Sequence, residues 1–476
     1  MFEEKLKELE PVFYPGSIAV VGASANSRKA GTAWVWTLMS AGFPGPIYPV
    51  GFSGGRIGDL EVYPSLKHVP GDIDYVIVAI PRQSVLEFLD DCVTRQVKAV
   101  QFFTAGFSEM DAHRGRDVEE KMVEKARQGN MRIVGPNCIG VYCPERRIPF
   151  IMGTLGDSGS VGFVSQSGGI AGKLATVGLA RHINFSKGVS FGNGIDLDAS
   201  DFLQYLAADP KTRVIGAYLE GTRDGARLFR TMKEVARVKP LVVWKGGRTE
   251  AGAQAAASHT GSLASSAAIW SAALGQAGAI EVYNLEELAD TLLLFQQLGQ
   301  WQGVRAAIIG GLADGGGGMS VSAGDACMDS GLEVPPLSID TRKELGALLG
   351  EVGSILHNPV DVSQAQFRGL ETLFRSIELV ANDTAIDVVL IQEDVDIVLP
   401  IYSQKGLEDI NDFFIGLRNR QSKPIVVVLP PGSAEPERLQ AEQRLLKASI
   451  PVFCSMDRAA RAVSNLNRYS HRQRFT

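Results

Sequence analysis

SIAVVGAS at residues 17–24 is a β-branched apolar run that breaks abruptly into glycine and small residues. A buried parallel strand reads this way, and the break marks a tight turn into a following helix. Two later stretches open in the same manner: SVGFVSQSGG at 160–169 and VRAAIIGGLADGGGG at 304–318. Their starts at residues 17, 160 and 304 are almost evenly spaced, which suggests three units of similar size and kind. The length of 476 residues agrees, since a domain takes roughly 150 residues. The spacing sets the expected domains at 1–148, 149–300 and 301–476.

After each opening, short apolar runs alternate with longer amphipathic stretches, as in βαβ units. Strands are expected at 17–22, 46–50, 75–80, 99–104 and 132–135 in the first unit. The second should hold 160–165, 185–191, 214–220 and 240–245, and the third 304–310, 387–393, 424–430 and 451–454. Helices fit between them, for example Val85 to Gln96 and Leu285 to Leu298. The expected fold class is α/β: three consecutive Rossmann-like or flavodoxin-like, doubly wound domains with mainly parallel sheets. Such sheets bind ligands in the crevice at the carboxyl ends of their strands, so those loops are where chemistry is sought.

Composition narrows the function classes. With 45% hydrophobic and 21% charged residues the chain resembles an average globular protein and can bury proper cores. Lys plus Arg number 47 against 53 Asp plus Glu, a net charge of −6 without like-charged blocks, which disfavours a nucleic-acid partner. No apolar run reaches the roughly 18 residues of a membrane span, and MFEEKLKELEPVF is a charged amphipathic start rather than a signal peptide. A cytoplasmic protein is the simplest expectation. Cys92, Cys138, Cys143, Cys327 and Cys454 form an odd, scattered set that fits reduced thiols, and no metal pair stands out among them.

Three loops invite chemistry. GASANSRKAG at 22–31 follows a strand and opens a helix, so its amides suit a phosphate, although a purely structural turn reads equally well. It is not the dinucleotide fingerprint, which needs a glycine at Ser24; Arg28 and Lys29 supply two cations where a phosphorylated ligand would lie. SQSGGIAG at 165–172 is again strand, polar turn and helix, with Ser165 and Ser167 as caps and a positive end near Gly168 and Gly169; it is either an anion site or an ordinary capped helix. In AASHTGSLASSAAIW at 256–270, Ser258 or Thr260 is expected to cap a helix, with His259 at its start beside Gly261. Most lone histidines do no chemistry, but this one lacks large apolar neighbours, and a neutral imidazole there is a nucleophile toward phosphorus. Its orienting carboxylate is expected to be Glu220, at the end of VIGAYLEG. The helix ends at Gly168 and Thr260 would then converge on one phosphate.

In order, VVGAS, YPV, TAGFSE, GPNCIG, SQSGGIAG, GN..D, YLEG and SHTGSLA resemble the nucleoside-diphosphate-forming acyl-CoA synthetases. The resemblance is to the α part of the ADP-forming acetyl-CoA synthetase type, related to succinyl-CoA synthetase α, from about Tyr14 to about Asp457. It implies a CoA-binding domain followed by two succinyl-CoA-synthetase-like flavodoxin domains. It further implies that His259 is transiently phosphorylated and Glu220 positions it. Ser165, Gln166, Ser167, Gly168 and Gly169, with Thr260 and Gly261, would hold phosphate. Gly22, Ala23, Ser24, Arg28, Lys29 and Gly31, with Thr104, Gly106 and Glu109, would contact CoA. Asn137 and Asn193 would line the acyl pocket, with Phe191, Phe150 and Trp34 as candidate walls.

Two departures stand out. PVGFSGG at 49–55 lacks the asparagine and lysine of the family's VNPK, so one phosphate contact is missing unless Arg56 substitutes. No ATP-grasp segment follows the third unit, which implies an ATP-grasp β subunit, an α2β2 heterotetramer, and ATP/ADP and Mg2+ held mainly by that partner. The implied reaction interconverts acyl-CoA, phosphate and ADP with carboxylic acid, CoA and ATP through acyl phosphate and phosphohistidine. The alternative is a non-catalytic CoA-binding or CoA-sensing protein, which would need neither His259 nor Glu220. A nicotinamide oxidoreductase lacks its fingerprint, and a protein acetyltransferase would need an appended domain.

Overall fold

Three parallel sheets with one common winding organise the chain. The structure, a computed structural model, describes residues 2–25, 29–111, 113–260, 266–312, 317–350 and 356–472; the side chains of 257–260, 311–312, 317 and 366–367 lie outside that description. Arg28 and Gly261 lie outside the described residues. The chain divides into two compact units, Met1–Leu292 and Leu293–Thr476.

The first unit holds two sheets. Its strands begin with β1 (Ile18–Val21), β2 (Ile47–Val50), the hairpin β3 (Arg56–Ile57) and β4 (Leu60–Glu61), β5 (Tyr75–Val78), β6 (Ala99–Phe102) and β7 (Arg132–Val134). Then come β8 (Gly140–Tyr142), β9 (Val161–Ser165), β10 (Phe185–Ser190), β11 (Val214–Leu219), β12 (Leu241–Lys245) and β13 (Ile280–Val282). Its helices are α1 (Phe2–Phe13), α2 (Ala30–Ala41), α3 (Val85–Thr94), α4 (Arg114–Gln128), α5 (Gly168–Arg181), α6 (Ala199–Ala208), α7 (Gly225–Val238), α8 (Glu250–Thr260) and α9 (Ala267–Ala277).

The first sheet runs β2-β1-β5-β6-β7, all parallel. The second runs β13-β12-β11-β9-β10-β8, parallel except that β8 lies antiparallel to β10 on the edge. In both, the first strand has the second on one side and the third on the other. This reversal opens a crevice at the strand ends, between β1 and β5 and again between β9 and β11. The second unit repeats the winding with β14 (Ala306–Leu312), β15 (Val360–Asp361), β16 (Val388–Glu393), β17 (Ile425–Val428) and β18 (Val452–Phe453), ordered β15-β14-β16-β17-β18.

The central strands are buried on both faces. IAVV of β1 and YVIV of β5 are buried throughout, which is why they read as continuous apolar runs rather than alternating ones. Each such Val or Ile side chain contributes about 1.5–3 kcal/mol on leaving water. The expected strands all form, most of them shortened by a residue or two at their ends, while β14 starts two residues later and runs two residues further than expected. The hairpin, β8, β13 and β15 were not expected, because two- or three-residue strands are too short to carry a period. One ion pair is sealed in the first unit: Lys187 Nζ lies 2.8 Å from Asp209 Oδ2, with both side chains buried. Such a pair is tolerable only because further bonds satisfy it, here from Thr212 Oγ1 to the same carboxylate.

In the second unit Glu393, at the end of β16, is fully buried, and neither carboxylate oxygen has a hydrogen-bond partner among the described residues. Burial pushes its carboxyl up to about 8. The folded state therefore keeps a proton that the unfolded chain releases. The associated stability is complete below the ordinary value of 4.5 and is lost as pH rises through about 8. The urea midpoint of this unit should fall between about pH 5 and pH 8, at up to about 1.4 kcal/mol per pH unit, and Glu393→Gln should flatten that slope. Identical pH profiles for the two proteins would contradict the buried protonated acid.

Candidate functional site

The turn after β1 is built by close backbone approach. Gly22 has φ +93°, and a Cβ there would stand 2.2 Å from the Ala79 carbonyl oxygen. A Cβ on Gly31 would fall within 2.7 Å of the Gly22 and Ala23 backbone, so the first turn of α2 lies directly on the loop. The amides of Gly22 and Ala23 donate to Val50 O at 3.0 and 3.1 Å. Ser24 N donates to Thr32 Oγ1, which donates back to Ser24 O. Ala23 and Ser24 are buried, whereas Lys29 stands exposed at the N-terminus of α2. This helix end is thus rigid, positive and open to an anion.

The next loops are braced to it. Thr104 Oγ1 donates to Ile80 O at 2.7 Å, joining the ends of β6 and β5. Gly106 N donates to Glu109 Oε1 at 2.6 Å, and Arg82 Nη1 donates to Gly106 O at 2.5 Å. The other oxygen of Glu109 accepts from Asn193 Nδ2 at 2.7 Å. Asn137 has φ +58°, a left-handed conformation that asparagine tolerates, and its amide donates to Thr104 O at 3.0 Å.

The turn after β9 is a second positive end. Ser167 Oγ accepts from Ile170 N and caps α5. Ser165 plays a different part: its hydroxyl donates to Ser167 O at 2.7 Å and accepts from Ser167 N at 3.2 Å, stiffening the turn. The first-turn amides of Gly168 and Gly169 have no intrahelical acceptor, and both residues line the crevice. Gln166 closes the crevice floor, since its Oε1 accepts from the amides of Glu220 and Gly221 at 2.8 and 3.0 Å. Glu220 is buried at the end of β11; Tyr218 donates to its Oε1 at 3.1 Å, while Oε2 has no hydrogen-bond partner among the described residues. Burial and the neighbouring Glu220 push the Tyr218 hydroxyl up, so it stays a donor at ordinary pH. Burial holds Lys245 below its usual value, against the pull of Glu220.

One expectation needs correction. Ser258, His259 and Thr260 do not begin a helix; their backbone forms the last turn of α8. The run Ala255–Ala257 is the best helix former there is, and it carries the helix through residues whose side chains would otherwise cap a new one. At Thr260 the backbone is therefore still within α8 and presents no positive N-terminus. The side chains of Ser258, His259 and Thr260 lie outside the described ones.

A cleft of about 560 Å³ runs from the start of α2 to the turn after β9. Its lining runs from Ala30, Ala79 and Ile80 past Phe103, Thr104 and Ala105 to Asn137, and ends on Gln166, Ser167, Gly168 and Gly169. Asn193 lies elsewhere: it lines a neighbouring cavity of about 650 Å³, which shares Gln166. Its amide is consumed by Glu109 and Glu119, the latter at 3.0 Å. Phe191 lines that second cavity, and Phe150 packs in the core against Tyr142, so neither walls the cleft. Trp34 reaches it only through an edge-on contact with Phe103 at 6.4 Å. Arg56 donates to Asp59 O in its own hairpin.

Sequence reading missed Glu119, which is 2% exposed and accepts from Ser108 Oγ, Asn193 Nδ2 and Arg223 Nη2 at 2.7, 3.0 and 2.8 Å. It sits in a charged helix with no motif around it, so only its spacing on the buried face of α4 hints at its place.

Comparisons with known proteins agree with this geometry. Residues 16–144 match the CoA binding domain family, and residues 158–295 match the succinyl-CoA ligase like flavodoxin domain family. The chain is 34% identical to the acetate–CoA ligase [ADP-forming] I subunit alpha of Pyrococcus furiosus, over 97% of this chain and 98% of the relative. It is 34% identical to the acetate–CoA ligase [ADP-forming] I of Archaeoglobus fulgidus, over 97% of this chain but 64% of that longer relative. Among solved structures, the Ca. Korarchaeum cryptofilum dinucleotide forming acetyl-coenzyme A synthetase 1, in complex with phosphate and ADP, superposes with a TM-score of 0.84. It is 31% identical over 98% of both chains.

The carboxylate knot is open to test. Glu119→Leu removes the acceptor of four hydrogen bonds, from Ser108 N, Ser108 Oγ, Asn193 Nδ2 and Arg223 Nη2, and should cost about 2–4 kcal/mol. Hydrogen exchange should speed up at 104–109 and 191–195. Unchanged protection in both loops would contradict the bracing role.

Proposed function

The chain belongs to the NDP-forming acyl-CoA synthetase family, and on that premise we propose that it is the α subunit of an ADP-forming acid-thiol ligase. The observation that carries the reading is the cleft running from Ala30, at the start of α2, to the Gly168 turn. CoA would lie along it, with Gly22, Ala23, Ser24, Arg28, Lys29 and Gly31 at its phosphates and Thr104, Gly106 and Glu109 shaping the loop it crosses. Its thioester would meet inorganic phosphate at Ser165, Gln166, Ser167, Gly168 and Gly169, with Asn137 beside the acyl group. Asn193 acts one step back, by fixing Glu109.

Phosphate oxygen attacks the thioester carbonyl, the carbon–sulfur bond breaks, and CoA leaves as the thiol with an acyl phosphate remaining. An imidazole nitrogen of His259 then takes the phosphoryl group and the carboxylate leaves. The amides at Gly168 and Gly169 stabilise charge on the transferring group, which is most of what a loose phosphoryl transition state asks for. Glu220 supplies a buried carboxylate oxygen without a partner among the described residues, suited to accept an imidazole N–H and keep the opposite nitrogen nucleophilic. Thr260 and Gly261 would contact the phosphohistidine from their own segment. The phosphoryl group finally moves to ADP.

We further propose that this last step occurs on an ATP-grasp β subunit, in an α2β2 assembly where ATP/ADP and Mg2+ are held mainly by the partner. The Pyrococcus furiosus relative named as a subunit alpha supports a partner subunit. The proposed domains are 1–148, 149–300 and 301–476, and the two family matches fall within the first two. Among the described residues no helix is long and apolar enough to cross a membrane, in keeping with the proposed cytoplasmic location. The CoA-sensing alternative is not favoured, because the relatives are named as ligases.

Incubation with acetyl-CoA and radiolabelled phosphate should label the unaltered chain. His259→Ala should abolish the label while CoA still binds, and Glu220→Gln should slow labelling by about 10- to 100-fold. A labelled His259→Ala protein would refute the nucleophile.

A further inference from the structure

Phe52 is 98% exposed, the most exposed large apolar side chain among the described residues, and nothing in the reaction above uses it. It stands two residues beyond the end of β2, in the glycine-rich loop that departs from the family pattern. That loop is anchored at both ends: Gly51 N donates to Tyr63 O at 2.8 Å, and Val62 N donates to Gly55 O at 2.9 Å. It also lies on the first turn, since a Cβ on Gly51 would come within 1.9 Å of Ala23 O, and one on Gly55 would touch Ala25 Cβ at 3.5 Å. An aromatic ring is thus held in water on a loop that packs against the turn after β1.

The sheet order β2-β1-β5-β6 gives that position a direction. With phosphates at the β1 turn and the cleft leading away over the ends of β5 and β6, the nucleoside half of a ligand must fall on the other side, over β2. Doubly wound nucleotide sites place it there for the same reason. GFSGG carries no cation, and the Arg56 guanidinium is engaged by Asp59 O at 2.6 Å. We propose that Phe52 stacks on the adenine ring of CoA, so that this loop recognises the nucleotide by its π face rather than by charge. The inference rests on the cleft being the CoA site.

Calorimetric titration of the full chain tests it, with CoA and with 4′-phosphopantetheine, which lacks the adenosine, as probes. Phe52→Ala should weaken CoA roughly ten- to a hundredfold and leave 4′-phosphopantetheine unchanged. Phe52→Trp should keep CoA affinity, and its fluorescence should change with CoA but not with the shorter ligand. Because the ring is exposed, neither substitution disturbs the core. A Phe52→Ala chain that binds CoA as tightly as the unaltered one, or loses both ligands equally, would overturn the stacking. Should Gly31→Ala weaken CoA while Phe52→Ala does not, the stacking alone fails and the ring is left for a protein contact. No CoA binding by the unaltered chain would instead sink the cleft assignment.

Discussion

A parallel sheet that starts in its middle must send its next strands to opposite sides, and the two loops that part there leave a crevice between them. This chain makes that crevice between β1 and β5 and again between β9 and β11, within one compact unit. The functional reading depends on those two crevices sharing one cleft. Neither a good phosphate turn nor a good nucleotide turn does acyl transfer alone; the thioester must be delivered to the phosphate, and effective concentration supplies much of the rate.

The polar groups around the cleft divide into those that hold and those that are kept ready. Glu109 and Glu119 spend their oxygens on backbone amides, Asn193, Ser108 and Arg223, and so brace the loops around the cleft. Glu220 is the opposite: one oxygen is bonded by Tyr218 and the other is buried without a partner among the described residues. A buried acceptor left open costs free energy, so this oxygen is placed to receive a donor. The turn at Gly168 is likewise stiffened by Ser165 and Ser167 while its first amides are kept for an anion.

Much of this was legible in the residues themselves. The strands IAVV, VGFVS and VVLIQE announce themselves because burial on both faces demands unbroken apolar runs. Gly22 and Gly31 stand at a strand-to-helix junction where a Cβ would strike backbone, and the SQSGG turn stands at another such junction. Around His259 the reading went wrong about the backbone, because Ser and Thr promise a cap while the alanines before them favour continued helix. Asn193 lines the cavity beside the cleft, a detail the residues do not carry, since a strand-end position says which edge of the sheet a residue occupies but not which of two adjoining hollows it lines. Glu119 was invisible for a related reason: its partners come from three separate loops that only the folded chain assembles.

The central claim is that one ligand spans both crevices, and a crystal structure of the chain with CoA and phosphate tests it most directly. The account predicts adenosine beside Phe52, pyrophosphate on the turn at Gly22 to Ser24, and the pantetheine arm passing Ile80 and Thr104 to bring its sulfur to a phosphate seated at Gly168. CoA bound elsewhere, or with its thiol directed away from the Gly168 turn, would contradict it.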